Sequence, residues 1–122
     1  MKKVNKYLSA ITLALEEGQG KDTMVLSTLV QSGGLFAKMV VVTAASTRHL
    51  SALAERVLLA LKAAGCRRRI VEELSEREWT LIDSGDIIVH IMRAEARARY
   101  DLEGLWRFED AVTSPADTDE KQ

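Results

Sequence analysis

The sequence predicts a single α/β domain built on one mixed β-sheet flanked by helices, and three observations carry that prediction. Apolar residues recur three and four apart in the stretches around Val4–Leu15 and Leu50–Leu61, the spacing of an amphipathic helix. Short runs such as Met39 to Thr43 and Ile87 to Met92 are instead apolar and rich in β-branched residues, as strands are. The two kinds of segment follow one another as helix, strand, strand, helix, strand, strand, strand, helix. The length of 122 residues fits one domain. Residues 1–112 are expected to form it, and 113–122 a disordered polar tail.

The first helix places Val4, Leu8, Ile11 and Leu15 on one stripe and should end near Glu17, where Gly18 and Gly20 bring in chain breakers. Thr23 to Val30 reads as a strand, and Gln31 to Gly34 as a loop to which Gly33-Gly34 gives backbone freedom. Met39 to Thr43 is so continuously apolar that both its faces should be covered. Ser46 is a natural N-cap for the second helix, whose stripe is Leu50, Leu53, Ala54, Val57, Leu58 and Leu61 and whose C-cap glycine is Gly65. Ile70 to Leu74 is a shorter strand. Trp79 to Ile82 and Ile87 to Met92 form a hairpin around Asp83-Ser84-Gly85-Asp86, a run of turn-forming residues. Ala94 to Tyr100 reads as a short helix, with Leu102, Leu105 and Trp106 packing a further turn back. The Met39 strand, the Ser46 helix and the Ile70 strand make a candidate right-handed βαβ unit.

Composition narrows the function classes. Lys and Arg number 17 against 18 Asp and Glu, a net charge of −1, which speaks against a dedicated or sequence-specific nucleic-acid binder. A single cysteine, Cys66, excludes an intramolecular disulfide and a multi-cysteine zinc site. No apolar run approaches the roughly 20 residues of a membrane-spanning helix. Lys2, Lys3 and Lys6 precede an apolar stretch, but Ser9, Thr12, Glu16 and Glu17 interrupt it too often for a secretory leader. A cytoplasmic protein is expected.

Several residue sets invite a chemical reading. Asp83 and Asp86 at one hairpin tip, with His90 four residues on, could ligate a divalent cation and serve a metal-dependent nucleotide-handling enzyme. Asp is also a common turn residue, and strand alternation gives His90 the look of a hydrogen-bonded, half-buried histidine; that plainer reading outweighs the metal site. Ser46 to His49 at a helix start would suit an anion, yet no glycine-rich phosphate loop precedes them, so an N-cap is the better account. A triad of Ser46, His90 and Asp86 lacks a nucleophile elbow. Cys66 beside Arg67, Arg68 and Arg69 lacks a resolving cysteine, which favours a structural thiol and a solvated arginine face. No catalytic residue, metal or cofactor is therefore expected. The aromatics point elsewhere. Trp106 shares a stripe with Leu102 and Leu105 and reads as core, whereas Trp79 at a hairpin start and Tyr100 at a helix end could be exposed anchors of a protein interface.

The run Trp79-Thr80-Leu81-Ile82-Asp83-Ser84-Gly85-Asp86-Ile87-Ile88-Val89-His90, then Glu95-Ala96-Arg97 and Tyr100-Asp101-Leu102-Glu103-Gly104-Leu105-Trp106, resembles the ribosomal silencing factor (Iojap) family. Ser46-Thr47-Arg48-His49 after an apolar strand resembles the Ser-x-Arg-His segment before that family's long helix. The resemblance spans roughly residues 4 to 107. It implies a nucleotidyltransferase-like α/β fold without the catalytic apparatus. It further implies binding to the large ribosomal subunit through the fourteenth protein of that subunit, at the subunit interface. Steric exclusion of the small subunit would lower translation when nutrients are short, and the free protein would be a homodimer. By motif position, Trp79, Leu81, Asp83 and Tyr100 would belong to the partner-binding surface. The chain departs from the family pattern at Ser27 and Ala37, where an Asp is usual, and at Ala44 and Glu73, where a glycine is usual.

Overall fold

The computed structural model describes residues 2–30 and 35–100. Helix α1 (Lys2–Glu17) leads into the antiparallel pair β1 (Lys21–Val30) and β2 (Leu35–Ala44). Helix α2 (Thr47–Ala63) then crosses to β3 (Ile70–Ser75), followed by β4 (Trp79–Asp83), β5 (Ile87–Arg93) and the short α3 (Ala94–Arg99). The five strands form one sheet in the order β1-β2-β5-β4-β3. β5 lies parallel to β2 and antiparallel to β4, and β4 antiparallel to β3. The sheet is mixed and flanked by helices, as the sequence predicts.

Two expectations change in detail. β2 begins at Leu35 rather than Met39, because its ladder with β1 continues out to the pair Val30 and Leu35. The βαβ unit exists, but β2 and β3 are not neighbours. The pairings make them parallel, with β5 and β4 standing between them. A hairpin later in the chain fills the gap that α2 spans, which local sequence does not announce. The Gly33-Gly34 loop, the Leu102–Trp106 turn and the tail from residue 113 lie outside the described residues.

Burial explains the layering. The α2 stripe Leu50, Leu53, Ala54, Val57 and Leu61 is buried as expected, and α1 contributes Ile11 and Leu15. These helices cover one sheet face, built from Val40, Val42, Ile82, Val89 and Ile91. On the opposite face Leu26, Met39, Val41 and Met92 are buried with Ala96 of α3 and partly buried Trp79. Met39 to Val42 are therefore covered on both faces, which accounts for their unbroken apolar run.

The helix ends follow elementary capping chemistry. Ser46 is extended (φ −156°), and its Oγ accepts the His49 N–H at 3.0 Å. After Ala64 the chain turns through Gly65 at φ +91°, a left-handed conformation that a side chain would strain. The Gly65 and Cys66 N–H groups close the helix on the carbonyls of Lys62 and Leu61. His49 also ties α1 to α2: its Nδ1 accepts the Ala45 N–H and its Nε2 donates to the Gly18 carbonyl, both at 2.8 Å.

Candidate partner-binding surface

The β4–β5 hairpin sets the geometry of the aromatic site. Ser84 N–H and Oγ–H both donate to the Ile87 carbonyl, and Gly85 takes φ +100° with its N–H on Asp83 Oδ1 at 2.9 Å. This turn fixes the register, so Trp79 lies opposite Met92, Leu81 opposite His90 and Asp83 opposite Ile88. Strand alternation then puts Trp79, Leu81 and Asp83 on the sheet face away from α1 and α2. The burial of β4 agrees, with Thr80 and Ile82 buried and the other three half-buried.

Trp79 is the centre of a polar and aromatic cluster. Its indole N–H donates to His90 Nδ1 at 3.0 Å, and the two rings lie 5.8 Å apart. The Tyr100 ring packs on the indole at 4.9 Å between centroids with a 40° tilt, a favourable offset arrangement. Arg99 lies over Tyr100, 5.4 Å from the ring centroid, and its Nη2 pairs with Glu78 Oε1 at 3.2 Å. Glu78 is bound in turn, since its backbone carbonyl accepts the Arg93 N–H at 2.8 Å. Tyr100 is 41% exposed while Trp79 is half-buried, so only one of the two expected anchors stands freely in solvent. The indole is held by its neighbours, and the residue remains partly accessible.

His90 is buried at 7% exposure, and desolvation pushes its pKa down to about 4. The folded chain keeps the ring neutral, with Nδ1 free to accept the indole proton. In the unfolded chain the ring takes a proton near 6.5. The unfolded state therefore binds more protons between these values. The contribution of His90 to stability is fully present above pH 6.5 and is lost toward pH 4, amounting to about 3 kcal/mol. His90→Asn offers an amide oxygen near the Nδ1 position and does not titrate. Chemical denaturation across that range should show a flatter pH dependence in the variant than in the parent chain.

Asp83 sits at the far end of β4 from Trp79, about 13 Å along the strand. Arg68 grips it with Nη2–H on Oδ2 at 2.9 Å and Nε–H on Oδ1 at 3.3 Å. The Arg68 hydrogen bond, with the Gly85 N–H adding to it, holds the carboxyl below its ordinary pKa. Asp83 is thus occupied by a cation of its own chain. Asp86 is exposed on the turn and His90 faces Trp79, and no group of three or more metal-ligating side chains occurs among the described residues. The hairpin gives the three residues of the candidate cation site three different surroundings. Ser46 Oγ is spent on its helix cap. Cys66 is buried with its thiol directed at the carbonyls of Arg68 and Ser84.

Some contributors had no sequence signal. Arg97 Nη1 donates to the Asp22 carbonyl at 2.7 Å and to Thr43 Oγ1 at 2.8 Å, pinning α3 across β1 and β2. The Glu78–Arg99 pair joins residues 21 apart in sequence, which no periodicity marks. The Trp79–His90 bond was readable in principle, since a hairpin closing at Asp83 and Ile87 makes these side chains near neighbours. At the departures from the family pattern, Ser27 accepts a hydrogen bond from Lys38 Nζ at 3.0 Å, Ala44 is buried, and Glu73 Oε2 accepts the Arg77 N–H. The Ala37 side chain lies outside the described residues.

Comparison with known proteins places this geometry in a family. The family model described as "Ribosomal silencing factor during starvation" matches residues 1–122. A ribosomal silencing factor of Chromobacterium violaceum is 42% identical over 93 residues, 76% of this chain and 75% of the relative. One from Zymomonas mobilis is 32% identical over 108 residues, 88% of this chain and 80% of the relative. The crystal structure of a Chromobacterium violaceum protein superposes with a TM-score of 0.71 at 36% identity, covering 84% of both chains. With a family match over its whole length, and relatives that share both sequence and fold, this chain belongs to the ribosomal silencing factor family.

Proposed function

We propose that the chain is a non-enzymatic translational repressor that docks on the large ribosomal subunit through the fourteenth protein of that subunit, at the subunit interface. Once seated there it excludes the small subunit by bulk, and it acts in the cytoplasm when nutrients are short. Away from the ribosome the chain pairs with a second copy. Membership of the silencing-factor family supports the ribosomal partner. The docking face in this reading is the β4 side carrying Trp79, Leu81 and Asp83, with Tyr100 beside it.

The single observation that carries the reading is the built aromatic platform. Trp79 is fixed by His90 and Tyr100 yet is only half-buried, the state in which an aromatic side chain loses little entropy on binding. Asp83 adds a charged margin already balanced by Arg68. Among the described residues no helix is long and apolar enough to cross a membrane. The reading is tested by mixing purified subunits with the protein in excess and following their joining by light scattering. Joining should fall as protein is added. Unchanged joining at saturating protein would contradict steric exclusion.

A further inference from the structure

The outer edge of the sheet at β3 stands apart from the other described strands. Among the described residues, β3 is the last strand of the order and pairs with β4 alone. Five of its six residues are exposed, among them Ile70 at 42%, Val71 at 46% and Leu74 at 45%. An edge of exposed backbone donors and acceptors with apolar side chains is a template for another strand, and charge is the usual means of controlling what pairs there. Here the charges are sorted by sign along the strand. Arg67, Arg68 and Arg69 precede it, Glu72 and Glu73 lie within it, and Glu76, Arg77 and Glu78 follow it with a net negative charge.

That sorting selects both orientation and partner. A parallel pairing with an identical strand would set arginine beside arginine and glutamate beside glutamate. An antiparallel pairing sets the basic end of each strand against the acidic end of the other. Identical antiparallel strands related by a two-fold axis bring one residue opposite itself. With Val71 at the axis, Arg69 stands opposite Glu73 of the second copy, and the reciprocal pair follows by symmetry. Val71 and Glu73 lie opposite Ile82 and Thr80 of β4 and so share the helix-side face, and continuing the alternation one residue before the strand puts Arg69 with them. Each face would then run Arg69, Val71, Glu73 against the second copy's Glu73, Val71, Arg69. Arg69 already donates to the Cys66 carbonyl, and Glu73 accepts the Arg77 N–H. Five guanidinium donors and two carboxylate oxygens leave capacity for a further bond at each.

We infer that β3 is a self-pairing edge, joining two copies of this chain antiparallel about Val71 with reciprocal Arg69–Glu73 ion pairs. The inference rests on the functional reading only in that the free chain is a homodimer, to which it adds surface, direction and register. The pairing joins two five-stranded sheets into one and keeps α1 and α2 of both copies on the same side. The bulge between Glu73 and Ser75 limits the ladder to a few residues, so the dimer depends on concentration.

Sedimentation velocity over a concentration series tests it on the full chain, with Arg69→Glu, Glu73→Arg and the double variant alongside. Both positions are exposed, and far-UV circular dichroism checks that each variant keeps its fold. The parent should dimerise with rising concentration, each single reversal should weaken the dimer by about tenfold or more, and the double reversal should restore it. A parent that stays monomeric up to about 1 mM would overturn both the inference and the homodimer reading beneath it. A dimer indifferent to the single reversals, or one weakened by them and not restored in the double variant, would overturn the inference and leave the homodimer reading in place.

Discussion

Trp79→Ala is expected to lower affinity for the large ribosomal subunit by about 2–4 kcal/mol, the range found for aromatic anchors at the centre of an interface. Three losses combine in that figure. The indole is the aromatic group that β4 would offer to the partner. Its removal leaves His90 Nδ1 without the N–H that occupies it at 3.0 Å, inside a largely buried ring. Tyr100 also loses the ring against which it packs at 4.9 Å, so a second anchor gains rotational freedom. The fold survives the change, because the main core of Val40, Val42, Ile82, Val89 and Ile91 lies on the opposite face of the sheet. Titration of labelled protein against purified large subunits measures the effect, with a thermal melt to confirm folding. An affinity within about twofold of the parent, in a folded variant, would remove Trp79 from the site.

The largest effect on stability is expected at Leu53→Ala, at about 2–5 kcal/mol. Leu53 is fully buried on α2. Its Cδ2 presses so closely on the end of α1 that a Cβ added at Gly18 would lie 2.7 Å away. Truncation opens a cavity at the point where α1, α2 and the sheet meet. The His49 bridge from Ala45 to Gly18 holds the helix ends in place there, so the walls cannot collapse into the gap. Urea unfolding should show a lower midpoint at similar slope. A loss below about 1 kcal/mol would mean that the helix layer relaxes far more than this packing allows.

Much of this architecture was legible because it is local. The α2 stripe from Leu50 to Leu61, the Ser46 cap, the Gly65 stop and the Asp83–Asp86 turn each follow from a few adjacent residues and the backbone chemistry they favour. Sheet order was less legible, since it depends on which strands meet after collapse. The parallel pairing of β2 with β5 joins segments nearly fifty residues apart in sequence, and nothing in the Ile70 strand says that it ends at the rim. The aromatic site divides in the same way. Trp79, Leu81 and Asp83 share a face by alternation alone. Glu78–Arg99 and Arg97–Thr43 arise only once α3 folds back on the sheet. The turn role of Asp83 and the hydrogen-bonded character of His90 were legible, but not their partners: Arg68 pairs with Asp83 and Trp79 with His90 only once the strands meet.

The most direct test of the central claim is co-sedimentation of the purified chain with separated ribosomal subunits. The chain should pellet with the large subunit alone, and Trp79→Ala, folded and at the same concentration, should stay in the supernatant. A parent chain that pellets with neither subunit, or with the small subunit instead, would contradict that claim.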